Sequence, residues 1–305
     1  MAHQHVGQRR WNSSRDVDPR IKALGRTILD DYAAVREEYG TNPNLTAVNP
    51  IRKHQQLTTS PATPTYPIVL AHGLLGFSEI KLAQALPSLQ YWHGIQDALE
   101  QAGATVITAT RAASLRDQIA AARPSAVNIV AHSMGGLDAR YLASCLAPDS
   151  VAIKSITTIA TPHRGSHFAD FLMSDSAPIH LPGSTASSSA PGSYMTQTFN
   201  ATVRDRDDVR YFSYGAMMDE PALLSPFRQP WRLIEEAEGP NGLVSVESSR
   251  WGTYKGTLVG VSHLDLINWS NRVRWTVREW MGVKRTFNAI AFYLDIADML
   301  AKEGL

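Results

Sequence analysis

The sequence predicts an α/β chain built on a mostly parallel sheet with helices packed against both faces. Three observations carry that expectation. Short β-branched apolar runs, IVLA (68–71), TVIT (105–108), VNIVA (127–131) and SITTIA (155–160), recur between residues 68 and 160. None alternates polar with apolar residues, the pattern of parallel strands buried on both faces. Helix-forming stretches at 94–101 and 135–145 lie between them, and alternation of strand with helix builds a parallel sheet under covering helices.

In chain order, residues 1–65 read as a tail, a helix and a linker. Asp18-Pro19 is an N-cap followed by a first-turn proline. Ile21, Leu24, Ile28, Tyr32, Val35 and Tyr39 then recur at steps of three and four, the period of an amphipathic helix. Pro43, Pro50, Pro61 and Pro64 mark 41–65 as linker. Residues 66–305 read as one α/β domain, a size that a single core supports. Beyond Phe171 the pattern loosens, and STASSSAPGS (184–193) is a low-complexity stretch expected in an exposed loop. VRYFSYG (209–215) and GTLVGV (256–261) are two further strands. Val277, Trp280, Phe287, Ile290, Leu294 and Ala297 mark terminal helices that cover the sheet.

Composition excludes several classes of function. Lys plus Arg (29) nearly balance Asp plus Glu (28), for a formal net charge of +1. Nothing in that balance points to nucleic acid or an acidic polymer as partner. Cys145 is the only cysteine, so no intramolecular disulfide can form, which fits a reducing compartment. No apolar run approaches the ~18 residues of a membrane span. The N-terminus has no signal-peptide core, and the faint transit-peptide character of Arg9, Arg10 and Arg15 is diluted by Asp16 and Asp18. The expected location is intracellular, cytoplasmic or mitochondrial.

Three short motifs carry the chemistry. In AHSMGG (131–136) an apolar strand breaks at Ser133 and a helix-forming run follows. A nucleophilic serine on such a turn sits in a strained backbone conformation and needs small neighbours. Ala131, Gly135 and Gly136 supply them, with alanine where a glycine is usual. HGLLG (72–76), directly after the strand IVLA, stands where backbone N–H groups can hold an oxyanion. Leu74 and Met134 are the expected oxyanion-hole donors, with His72 in a supporting role. His263, in SHLDL (262–266) after the last strand, is the expected general base, since the order nucleophile, acid, histidine places the histidine late. His163, in TPHRG, lies too close to the nucleophile's strand–helix unit for that order and reads as architectural.

The segments YPIVLAHGLLGF, LQYWHGIQDAL, VNIVAHSMGGLDARY, ITTIATPHRGSHFADF, GLVSVESSRWGTYKGTL and SHLDLINW together resemble the triacylglycerol lipases of the α/β-hydrolase fold. Within that family the chain is most similar to fungal intracellular lipases, which are related to the secreted bacterial true lipases. The resemblance runs from about residue 66 to 280. It implies a serine carboxylic-ester hydrolase acting through an acyl-enzyme on acylglycerols or other esters, with transient contact to a lipid surface. It also implies a lid or cap, expected at about 170–227. Ser133, His263, Leu74 and Met134 fall on the family's nucleophile, base and oxyanion positions.

The chain departs from the family at three points. The family's acid is the aspartate of an N-D-G-L-V run, whereas this chain reads EGPNGLVSVESS, with Asn241 abutting Gly242. Asn241 in the acid's place keeps a hydrogen bond and loses the charge, a change that costs ~10⁴ in kcat in serine proteases. Glu247 is the candidate acid that replaces it, with Glu238 as alternative and Asp265 as a weaker one. Second, the stretch between Ala109 and Asp117 is shorter than usual. Third, the bacterial relatives bind calcium through an aspartate two residues after the histidine and a glutamine four further on; Asp265 matches, but Trp269 offers no oxygen ligand. No metal and no cofactor are expected. The rival readings are an acyltransferase or thioesterase on the same apparatus, and an impaired hydrolase kept as a binding protein.

Overall fold

The computed structural model describes residues 45–47, 61–73, 79–80, 89–92, 94–109, 112–146, 151–166, 194–217, 243–259, 261–268 and 287–305. Its centre is a sheet of seven strands. In chain order the strands are β1 (Leu45–Ala47), β2 (Ile68–Ala71), β5 (Val106–Ala109), β6 (Ala126–His132), β7 (Ala152–Ile159), β8 (Arg210–Met217) and β9 (Thr253–Val259). The short pair β3 (Glu79–Ile80) and β4 (Leu89–Gln90) forms a separate antiparallel ribbon. The spatial order is β1-β9-β8-β7-β6-β2-β5, with six strands parallel and β1 antiparallel at one edge.

Strand side chains alternate between faces, so each apolar run feeds two cores at once. On one face Ile68, Leu70, Val130, Phe212, Tyr214 and Leu258 meet helix α1 (Ile95–Gln101) and the C-terminal helix, Ala289–Lys302. On the other, Val69, Ala71, Ile129, Ala131 and Ile156 meet α2 (Ala112–Ala122) and α3 (Gly135–Tyr141), which continues as a π-helical turn, Leu142–Leu146. The unpatterned runs of the sequence are therefore doubly covered strands.

The short helix Val246–Ser249 is α4, and Ala289–Lys302 is α5. Asn288 caps α5 by accepting a hydrogen bond from the Ala291 N–H. Eleven of the fourteen positions of α5 are buried, which leaves no apolar stripe on it to rest on a lipid surface. The C-terminus is tied into the fold: the Thr65 N–H donates to the Leu305 carbonyl at 2.7 Å, and Glu303 pairs with Arg210 and Lys255.

Two expectations change. Leu45–Ala47, within the expected linker, is an edge strand whose Leu45, Thr46 and Ala47 pair with Leu258, Thr257 and Gly256. The open edge of β9 supplies backbone partners, and Pro43 and Pro50 bound the strand. Arg210–Met217, the strand expected at 209–215, forms centrally between β7 and β9, so only the far bound of the expected 170–227 lid changes. Any cap inserted after β7 therefore ends before Arg210. The helix expected over 21–39, the serine-rich loop, most of the lid, and Val277 and Trp280 lie outside the described residues.

Candidate active site

Ser133 sits between β6 and α3 with φ at 56°, a left-handed conformation that costs a non-glycine residue energy. The turn is held by its surroundings. The Ser133 N–H donates to the Ile159 carbonyl at 2.9 Å, and the Ser133 carbonyl accepts from Thr161 Oγ1 at 2.7 Å and from the Gly136 N–H at 3.1 Å. The small neighbours are needed sterically. A Cβ on Gly135 would lie 2.3 Å from the His72 carbonyl oxygen, and one on Gly136 2.2 Å from Thr161 Oγ1. Ala131, fully buried in register between Ala71 and Thr158, has room for its methyl. Gly135→Ala, which must displace backbone, is expected to cost about 3 kcal/mol, measured as a drop in the denaturant midpoint; an unchanged midpoint refutes the tight-approach argument.

Ser133 and Met134 are both half-buried, so the turn remains accessible. Among the described residues the Met134 N–H has no hydrogen-bond partner, as is usual at the start of a helix. Leu74 lies outside the described residues. Gly73, which precedes it, is packed against the turn: a Cβ there would lie 3.0 Å from Ser133 Cβ. The loop after β2 thus reaches Ser133, as the oxyanion-loop expectation requires. His72 is buried, with its ring stacked on Tyr91 at 4.6 Å.

His263 arrives from the far side, on the loop after β9. Its ring lies 4.4 Å, centroid to centroid, from His132, the residue before Ser133. Neither Ser133 Oγ nor the His263 ring has a hydrogen-bond partner among the described residues; such contacts tighten when substrate binds. Burial pushes the His263 pKa down to about 4, and no opposing carboxylate acts on it among the described residues. The ring keeps partial access to solvent, which moderates that push.

The candidate acids are placed differently. Glu247 lies on α4 with its carboxylate side chain 68% exposed and 3.5 Å from Arg250, and no contact between it and His263 is found among the described residues. Asp265 is turned to its own loop, accepting from the Ser262 N–H at 3.1 Å and Ser262 Oγ at 2.6 Å. Asn241 and Glu238 lie outside the described residues. No group of three or more metal-ligating side chains is found among the described residues.

Three histidines, two of them buried and His263 partly so, share one electrostatic state. His132 is held well below its ordinary pKa of 6.5 by burial and then by the neighbouring His263, and His163 by burial and then by Arg140. With His263 they are neutral in the fold, while the unfolded chain takes up protons below about pH 6.5. The native state is thus disfavoured as pH falls. Each group removes up to about 1.4 kcal/mol per pH unit between its unfolded and folded pKa values. The thermal midpoint is expected to be flat above pH 7 and to fall steeply from pH 6.5 to 5. A level midpoint across that window contradicts the neutral imidazoles.

A triacylglycerol lipase 2 of Saccharomyces cerevisiae is 31% identical to this chain over 306 residues, covering 79% of the chain and 93% of the relative. The chain belongs to the triacylglycerol lipase family. A lipase of the same name from Pseudarthrobacter phenanthrenivorans is 30% identical over 255 residues, 78% of this chain and 74% of that one. No protein-family model matches the chain. Among solved structures, a metagenomic carboxyl esterase aligns over 92% of both chains with a TM-score of 0.63 at 17% identity. Lipase 1 of Pelosinus fermentans aligns over 79% of this chain and 99% of its own with a TM-score of 0.50 at 18% identity. The fold is that of the α/β-hydrolases.

In this member of the lipase family, residues 161–166 clamp the segment 243–250. Arg164 Nη1 donates to the carbonyls of Glu247 and Arg250 at 2.8 and 2.7 Å, and Ser166 Oγ to that of Leu243 at 2.8 Å. The His163 N–H donates to the Ser248 carbonyl at 3.0 Å. His163 itself is fully buried, with Nε2 3.0 Å from Thr158 Oγ1 and its ring stacked on Trp251; this geometry fits an architectural role. Sequence reasoning missed Arg140. It is 2% exposed, donates to Asn200 Oδ1 at 2.8 Å and the Val203 carbonyl at 3.2 Å, pairs with Asp205 at 3.3 Å, and lies 3.7 Å over Trp251. The one signal for it is spacing: Arg140 follows Gly136, whose face is already buried, by one helical turn.

Proposed function

We propose that the protein hydrolyses acylglycerol esters through a serine acyl-enzyme, with Ser133 as nucleophile and His263 as general base. The observation that carries this is the convergence on Ser133's strained turn of the loop after β2 and the loop after β9. Ser133 Oγ attacks the ester carbonyl while His263 takes its proton, and the Leu74 and Met134 N–H groups hold the oxyanion. His263 then returns the proton to the departing alcohol. Water repeats the steps in reverse roles and releases the fatty acid.

The acid's place favours a reduced rate. Glu247 faces solvent, and burial depresses the His263 pKa with no offsetting carboxylate among the described residues. We assign the orienting position to Asn241, whose amide can accept a hydrogen bond but carries no charge. Substrate arrives by transient contact with a lipid surface; among the described residues no helix is long and apolar enough to cross a membrane. A fluorophosphonate probe tests the nucleophile: labelling of the intact protein maps to Ser133, and tributyrin is cleaved to butyrate. Absence of label, where a control serine hydrolase labels, defeats the proposal. Transfer of the acyl group to added alcohol or thiol in preference to water redirects it to an acyltransferase.

A further inference from the structure

We propose that Tyr91 and His132 form a positioning pair that ties the loop after β2 to the loop after β9: a hydrogen-bonded chain runs from the Gly73 N–H through Tyr91 to His132, and the His132 ring packs against His263. The inference rests on the ester-hydrolase reading above and assigns roles to two residues outside the Ser–His pair. The Gly73 N–H donates to Tyr91 Oη at 2.8 Å, and Tyr91 Oη lies 2.8 Å from His132 Nδ1, both contacts being buried. His132 in turn packs its ring on His263 and faces the His263 backbone.

The direction of the chain follows from its protons. The Gly73 N–H can only donate, so it occupies a lone pair of the tyrosine oxygen. Tyr91 has one proton to give, and Nδ1 of a neutral His132 accepts it. The remaining imidazole proton then sits on Nε2. That atom is buried and has no hydrogen-bond partner among the described residues; His132 meets His263 through the ring contact at 4.4 Å. The tyrosine ring is itself fixed, stacked at 8° on His72 and edge-on to Trp92. Gly73 makes the approach feasible, because a Cβ there would lie 2.6 Å from Tyr91 Oη. The Gly73 N–H spent on Tyr91 fixes the end of the described loop beside Ser133. Aromatic packing alone would need a ring at position 91, not a hydroxyl.

The test compares full-length Tyr91→Phe, His132→Leu and His132→Asn with the unaltered chain. Phenylalanine keeps the stack and removes the hydroxyl, and asparagine places an acceptor oxygen where Nδ1 stood. Tyr91→Phe and His132→Leu are expected to lower kcat on a soluble short-chain ester about 10- to 100-fold, with KM within about twofold. Affinity for phenylboronic acid, which mimics the tetrahedral state, falls by the same factor. His132→Asn restores most of both. Hydrogen–deuterium exchange is expected to quicken in peptides covering Gly73 and His263 in the first two variants only. Unchanged exchange and boronate affinity in Tyr91→Phe overturn the inference, as does a fall in KM-limited binding and thermal midpoint without rescue by asparagine. If the unaltered chain neither turns over nor labels, the ester-hydrolase reading fails, while exchange still decides whether the two loops are coupled.

Discussion

Ser133→Ala is expected to lower kcat on a soluble short-chain ester by about 10²-fold, far less than the same change costs a complete triad. In a full Ser–His–acid site, removal of the serine costs ~10⁶ in kcat, whereas removal of the acid alone costs ~10⁴. These losses are not additive, because the three groups act as one unit. With Asn241 in the acid's place, as proposed, the site has only the remaining ~10² to lose. Glu247 faces solvent beside Arg250, and no carboxylate near His263 offsets its desolvation among the described residues. The size of the loss therefore reads the acid directly. A drop of ~10⁶ means that a carboxylate serves His263 after all. No drop means that Ser133 is not the nucleophile.

Inserting an aspartate between Asn241 and Gly242 is expected to raise kcat by up to ~10⁴, the inverse of the aspartate-to-asparagine change in serine proteases. A second readout belongs to the same mechanism. A carboxylate within about 4–6 Å of an imidazole favours its charged form, so the His263 pKa rises from about 4 toward neutrality. The acid limb of the kcat profile then moves to higher pH as the rate climbs. Glu247→Gln is expected to change kcat less than about threefold, since an exposed pair such as Glu247 with Arg250 contributes little. If the insertion is silent and Glu247→Gln abolishes turnover, the acid has migrated to α4 and the Asn241 assignment fails.

The legible parts of this protein are those whose physical demands are local. A parallel strand needs apolar, β-branched residues on both faces, and 68–71, 127–131 and 155–160 announce themselves that way. The turn at Ser133 needs small residues beside it, and Gly135 and Gly136 meet carbonyl and threonine atoms that would collide with any Cβ. Chain order marks His263, because the α/β topology constrains it. The strand Leu45–Ala47 has no such signature, because three residues without a pattern become a strand only when the edge of β9 offers partners. Arg140 reads as an ordinary surface charge on an amphipathic helix. Its burial depends on Asn200, Val203 and Asp205, sixty and more residues later.

The sequence by itself determined the class of sheet, the strained turn at Ser133 and the late histidine, since backbone strain and strand burial are satisfied by neighbouring residue types. Only the tertiary structure decided which groups meet that histidine. A carboxylate acts through distance and direction, and α4, clamped by Arg164 and Ser166 to the turn after β7, carries the Glu247 side chain out to solvent. The same packing brings Tyr91 and His132 between the two loops that converge on Ser133. No spacing in the chain specifies that contact, because it exists only where three separate loops are folded against one another.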